Sequence, residues 1–238
     1  MDLLEDVNAI DPGHWYYRHK YLVIERAIER VNKKSFTLSD IGAGSAIFSQ
    51  QVFEKYPDNK FYAIDINYSE EQLICSSGNF SYTRDLVPAD IYLLNDVLEH
   101  IENPSELLES IHKLSRTDYT LIVTVPAHKV LWSSHDVFLG HYRRYTKSDL
   151  LKYFQNEERY RVLDSHYLYQ TLFPLAFFAK KLKRSKSKSQ LKTHNAVINF
   201  MLNKILILET YLNLRFPFGV SLVAIIAVSN PYPSPFEK

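Results

Sequence analysis

Between residues 36 and 168 the chain alternates short β-type runs with helical patterns, and this alternation restricts it to few folds. Phe36–Ile41, Lys60–Ile66, Ala89–Asp96, Tyr119–Pro126 and Tyr160–Leu168 read as strands, with a weaker one near Phe80–Tyr82. Helical spacing of apolar residues separates them, at Phe48, Val52 and Tyr56, from Ser69 onward, at Leu107, Leu108, Ile111 and Leu114, and around Leu150–Phe154. Asn103, Pro104 and Glu106 form a helix-start pattern, as do Thr146 and Asp149. The alternation predicts an α/β protein built on a doubly wound, mostly parallel sheet, with ligands at the C-terminal edge of the strands.

The same alternation sets the bounds of the segments. Residues 1–35 form an N-terminal helical cap, in which Tyr17, Tyr21, Ile24, Ile28 and Val31 share one helix face. The core spans 36–168. Residues 169–219 interrupt the pattern with apolar pieces and read as an inserted helical region covering the acceptor side. A basic loop, 180–192, lies within it, and 220–238 supplies the final strand and a tail.

Composition narrows the function classes. A net charge of +1 gives no bulk attraction to nucleic acid, so no nucleic-acid partner is expected. The single cysteine, Cys75, rules out an internal disulfide framework. The first twenty residues lack the basic and apolar regions of a secretory signal, and no run reaches the roughly 18 apolar residues a membrane span needs. A cytoplasmic protein is expected. Seven Lys/Arg and no acid occur in 180–192, directly after the apolar "LFPLAFFA". That combination suits a peripheral contact through 172–192 with the inner face of an anionic membrane, or else a solvated loop. The apolar "INFMLNKILILETYLNL" suits a pocket cover or a homodimer contact.

The stretch "LSDIGAGSAIFSQQV", 38–52, carries the first site. Gly42 and Gly44 permit positive φ and close approach of a ligand at the end of the first strand. A dinucleotide fingerprint would need a third small residue where Ile47 stands. Asp40 would repel a pyrophosphate and attract a ligand carrying a sulfonium and an ammonium. A carboxylate at Asp65, ending the second strand, can accept both hydroxyls of a ribose.

Asp40, Gly42, Gly44 and Ala46, read as D-x-G-x-G-x-A, resemble motif I of the class I methyltransferases that use S-adenosyl-L-methionine (SAM). Asp65 and "LNDVLEHI", 94–101, match two further elements of that family in order and spacing. The resemblance implies a seven-stranded Rossmann-like sheet and SAM as cofactor. It also implies that Asp65 binds the ribose, that Asn95 and Asp96 pass beneath the methionyl part, and that His100 faces the reaction pocket. Asp85 falls where the family places an acid near the adenine amino group. Trp15 and Tyr16 lie where related enzymes cover the SAM site.

"LWSSHDVFLGHYRRY", 131–145, resembles the loop of a methyltransferase subset that accompanies sugar and cell-envelope biosynthesis. It implies a small-molecule acceptor of that kind, methylated on oxygen or nitrogen. His141 is the candidate base or acceptor-orienting residue, because a histidine titrates near neutral pH, and His135 is the alternative. Arg143 and Arg144 can clamp an anionic acceptor group, with Asp136 and Tyr145 beside them. A network that only anchors the loop would use the same residues. A non-catalytic SAM-binding regulator on this fold is the rival reading. No metal site is expected, because the familiar histidine spacings are absent.

Overall fold

A computed structural model describes residues 11–156, 158–182 and 195–230. The elements run α1 (Trp15–Val31), β1 (Thr37–Ile41), α2 (Ile47–Lys55), β2 (Lys60–Ile64), α3 (Glu70–Ile74), β3 (Phe80–Thr83), β4 (Ile91–Asn95), α4 (Pro104–Leu114), β5 (Tyr119–Pro126), α5 (Ser134–Phe138), α6 (Lys147–Leu151), β6 (Tyr160–Leu168), α7 (Phe173–Leu182), α8 (Ala196–Tyr211) and β7 (Ser221–Val228).

One seven-stranded sheet carries the fold, in the order β3-β2-β1-β4-β5-β7-β6. The five strands from β3 to β5 are parallel, and β7 runs antiparallel between β5 and β6. The expected doubly wound, mostly parallel sheet is therefore present. Central strands are buried on both faces, which explains their continuous apolar sequences: Ile91 to Leu94 and Leu121 to Val123 are all essentially inaccessible. Strand order reverses between β1 and β4, and a crevice opens beyond their C-terminal ends, as the geometry of such sheets requires.

Two cores flank the sheet. One face packs α1 and α2 through Ile24, Ile28, Phe48 and Val52 against Leu38, Phe61 and Leu93. The other packs α4 and α6 through Leu108, Ile111 and Leu150 against Leu94, Leu121 and Ile226. Capping boxes start α3 at Ser69 and α6 at Thr146. Asn103 stands at the cap position before α4, as the helix-start pattern predicts, but its side chain donates to Glu106 Oε1 at 2.8 Å and caps no backbone group. Pro104 at the first helical position already lacks an N–H, so less is left for a cap to satisfy.

The interruption after β6 is helical, as expected. Helix α8 lies along α1, where Asn199 Oδ1 accepts from the Trp15 N–H at 2.8 Å. Much of the basic run, 183–192, lies outside the described residues. Leu175 and Phe178 on α7, with Phe200 and Met201 on α8, project outward. Among the described residues, no helix is long and apolar enough to cross a membrane.

Candidate active site

The turn after β1 is built as its glycines predict. Gly42 and Gly44 have φ of 70° and 55°, and the amides of Gly42 and Ala43 both donate to the Ile64 carbonyl, at 2.8 and 3.0 Å. An added Cβ at Gly42 would lie 2.9 Å from Val97 Cγ2, so no other side chain fits without displacing Val97. The Gly44 amide donates to Asp65 Oδ2 at 3.0 Å, and the amide and side chain of Asn67 hold Oδ1 at 3.0 and 3.2 Å. Three donors thus fix the Asp65 carboxylate at the end of β2, with lone pairs left for a ligand.

Asp40 sits elsewhere. It is buried beneath the turn and does not line the crevice. Burial pushes its carboxyl up to about 7; Asp65 adds to the rise and a hydrogen bond with Ser49 opposes it. The acids that border the crevice are Asp65 and Asp96. An acid raised from 3.8 to about 7 on folding stabilises the fold fully below pH 4. That contribution falls, on the order of 1 kcal/mol per pH unit, as pH rises to 7. Asp40→Asn is therefore expected to flatten the melting temperature between pH 5 and pH 7 and to raise it at pH 8. Parallel pH profiles for mutant and wild type would contradict this.

Asp96, just after β4, has φ of 54°, a conformation that Asp tolerates better than most residues. Its carboxylate accepts from the Lys20 ammonium, from Tyr16 OH at 3.1 Å and from Thr124 Oγ1 at 3.3 Å. Burial disfavours the charge on Asp96, but the Lys20 ammonium outweighs it and keeps the carboxyl below its ordinary value. Lys20 is fully inaccessible and also donates to Tyr16 OH at 3.0 Å. Tyr16 stacks on Tyr169 at 5.6 Å, and Tyr169 OH donates to the Tyr16 carbonyl at 3.1 Å. Trp15 meets Tyr169 edge-on at 5.9 Å. Asn95 is spent inside the sheet, accepting from Thr124 Oγ1 at 2.7 Å. Asp85 is exposed and does not itself line the crevice, although its neighbours Arg84 and Leu86 do.

The loop after β5 is organised by Asp136, which is fully buried. Its Oδ1 accepts from Arg144 Nε at 2.6 Å and meets His141 Nδ1 at 3.0 Å; its Oδ2 accepts from the Ser133 amide at 2.7 Å. Burial opposes its charge, but hydrogen bonds from His141 and Arg144 hold the carboxyl well below the usual range. Arg144 Nη1 also donates to the Ala127 carbonyl at 3.2 Å. Arg143 Nη2 donates to the Glu102 carbonyl at 2.6 Å, and buried Tyr145 OH to the Leu98 carbonyl at 3.0 Å. Arg143 and Tyr145, expected at the acceptor, therefore stitch the loop to the turn after β4, while Asp136 and Arg144, expected there too, tie the loop to itself and to the residue after β5. The Tyr142 amide adds a bond to the Glu99 carbonyl at 2.7 Å. These bonds set His141 edge-on to His100 at 4.6 Å. His135 stands at the start of α5, with its amide on Ser133 Oγ at 3.3 Å.

Gly42, Asp65, Asp96 and His100 line one crevice of about 550 Å³, with Ile66 and Ile101 among its apolar walls. A family model described as a methyltransferase domain matches residues 14–170. The chain belongs to the methyltransferase domain family. The enzyme class and cofactor expected from the sequence, a SAM-dependent methyltransferase, follow from that membership. No curated protein matches the sequence. Solved structures of the same fold include the plantazolicin methyltransferase BpumL in complex with a monoazolic desmethylPZN analog and SAH, at 12% identity and TM-score 0.56, covering 96% of this chain and 89% of that one. Coclaurine N-methyltransferase, bound to N-methylheliamine and SAH, matches at 18% identity and TM-score 0.52, covering 87% and 71%.

The crevice of this methyltransferase fits its cofactor. Its volume lies within the 300–1,000 Å³ usual for small-ligand sites. Ile66 is 80% exposed beside the Asp65 carboxylate, so an apolar flank and a hydrogen-bond acceptor adjoin in the crevice. Lys20 and Tyr169 escaped the sequence reading. Lys20 lies four residues from Tyr16 and from Ile24, in the buried part of α1, and a lysine at such a position is the signal that marks it.

Proposed function

We propose that this methyltransferase transfers the methyl group of SAM to a small-molecule acceptor, with sugar or cell-envelope precursors as the class that its 131–145 loop suggests. One observation carries the reading: Gly42, Asp65, Asp96 and His100 all face a single crevice at the strands' C-terminal edge. SAM supplies an electrophilic methyl group on a sulfonium. Asp65 accepts the ribose hydroxyls, and Gly42 lets the cofactor approach the backbone. Asp96 meets the positively charged methionyl end, with Lys20 setting how much of its charge is left unbalanced. His100 and His141 receive the acceptor atom that must lose its proton. Asp136 orients His141, and Arg143, Arg144 and Tyr145 keep the loop in place. Catalysis is mostly alignment of the acceptor with the methyl group.

The test uses methyl-labelled SAM with a deproteinised metabolite extract. Label is expected in the small-molecule fraction, reduced at least 100-fold by His141→Ala, while SAH affinity by calorimetry changes less than threefold. SAH binding without transfer to any fraction would leave the regulator reading instead. The peripheral membrane contact through 172–192 belongs to the same proposal, supported by outward Leu175 and Phe178 and by the basic residues of 180–192. Co-sedimentation with anionic but not neutral vesicles is expected; a salt-independent homodimer that hides this face is the result against it.

A further inference from the structure

Three potential metal ligands converge where the acceptor loop meets the turn after β4. Glu99, His100 and His141 each offer one ligand atom, and these atoms lie within 4.8 Å of one another. The turn supplies two of them in succession, and the Tyr142-to-Glu99 backbone bond draws the third across. His141 is already tethered through Nδ1 to Asp136 at 3.0 Å, which turns its other ring nitrogen away from the carboxylate. A carboxylate behind a histidine is the arrangement that orients imidazole ligands in metal sites.

Glu99 supplies a separate observation. It is 1% exposed, and its Oε2 is buried with no hydrogen-bond partner. A carboxyl oxygen left so in a packed interior is costly. A cation shared with His100 and His141 would satisfy it.

We infer that Glu99, His100 and His141 form a divalent-metal site at the acceptor end of the crevice. Two imidazole nitrogens and one carboxylate suit manganese, iron, cobalt or zinc, whereas magnesium and calcium prefer all-oxygen ligand sets. First-row bonds of roughly 2.0–2.2 Å require the three side chains to close in slightly around the ion. Three protein ligands leave coordination positions open, and His100, which lines the crevice, would place the ion at its border, within reach of an acceptor. Resting on the methyltransferase reading, the ion's role is to make an acceptor hydroxyl more acidic. With the ion bound, His100 and His141 hold it instead of taking the proton; the hydroxyl releases its proton to solvent and its oxygen forms the new bond to the methyl carbon. The carbon–sulfur bond breaks with its electron pair on sulfur, leaving a methyl ether and SAH. The proposed site departs from the expectation of no metal, since its ligands come from two segments some forty residues apart, a spacing no short motif reveals.

The test titrates cobalt(II) into the chelator-treated full chain and reads the visible absorption bands. One equivalent is expected to bind in the micromolar range or tighter. Glu99→Gln and His141→Asn should each weaken binding at least tenfold, and Asp136→Asn about 10- to 100-fold. Glu54→Gln, on an exposed part of α2, should leave it unchanged. SAH binding, measured separately, shows that each variant is folded and tests the cofactor reading independently of the metal. Should Glu99→Gln fail to fold, His141→Asn decides. Wild-type binding weaker than about 100 μM, or equal binding in wild type and the His141 variant, overturns the proposal.

Discussion

Asp96→Ala is expected to destabilise the fold by about 3–5 kcal/mol, because it strands a fully inaccessible ammonium. Lys20 points its charge at Asp96 and at Tyr16 OH, and Tyr16 cannot replace the lost anion. A domain of this size loses roughly 2–4 °C of melting temperature per kcal/mol, so a drop near 10 °C is expected by calorimetry or circular dichroism. Removing the cation is milder, since the Asp96 side chain keeps 21% of its surface and two hydroxyl donors. The double variant Lys20→Met/Asp96→Asn should therefore be more stable than Asp96→Ala. A melting point for Asp96→Ala within 2 °C of wild type would show that Lys20 is not held as described. The pair also sets an acid limit. Because the folded-state pKa of Asp96 is depressed, its contribution is present above the ordinary carboxylate range and is lost as pH falls through the lower value.

Asp65→Ala is expected to weaken SAM and SAH binding at least 100-fold with a smaller effect on stability. A hydrogen bond to a charged group contributes about 1.5–3 kcal/mol, and two ribose hydroxyls on one carboxylate lie at the upper end of a factor of 100 to 10⁴. The same carboxylate fixes the Gly44 amide and Asn67, so the glycine turn loosens too. Asp65→Asn separates the two effects: it can still accept from the Gly44 amide but carries no charge. Calorimetry should place its affinity between those of wild type and Asp65→Ala. Unchanged SAH affinity in Asp65→Ala would remove the central assumption about the crevice.

The sheet was legible because its strands are buried on both faces, and long apolar runs such as Tyr119–Pro126 have few other uses. The glycine turn was legible because positive φ and close approach exclude most residue types. Side-chain direction was not. Arg143 and Arg144 look the same in sequence whether they face a ligand or bind Glu102, Ala127 and Asp136. Asp40 reads as a crevice acid from its charge and its place two residues before Gly42, but it is buried and does not line the crevice, and burial rather than a ligand sets its ionisation. Lys20 needed a partner 76 positions away, and Glu99 needed a view of what its second oxygen lacks. Pairings of that range are decided by the strand order, which periodicity does not report.

The placement of β7 bears on how the polypeptide is made. The ladder of β6 is formed with β7 alone, and Leu168 finds Ser221 only after more than fifty further residues. During synthesis, β6 therefore leaves the ribosome with an open edge, and α7 and α8 emerge before it can be sealed. The nascent chain completes this sheet only when β7 inserts between two strands that have been waiting, which makes that insertion the natural closing step of sheet assembly.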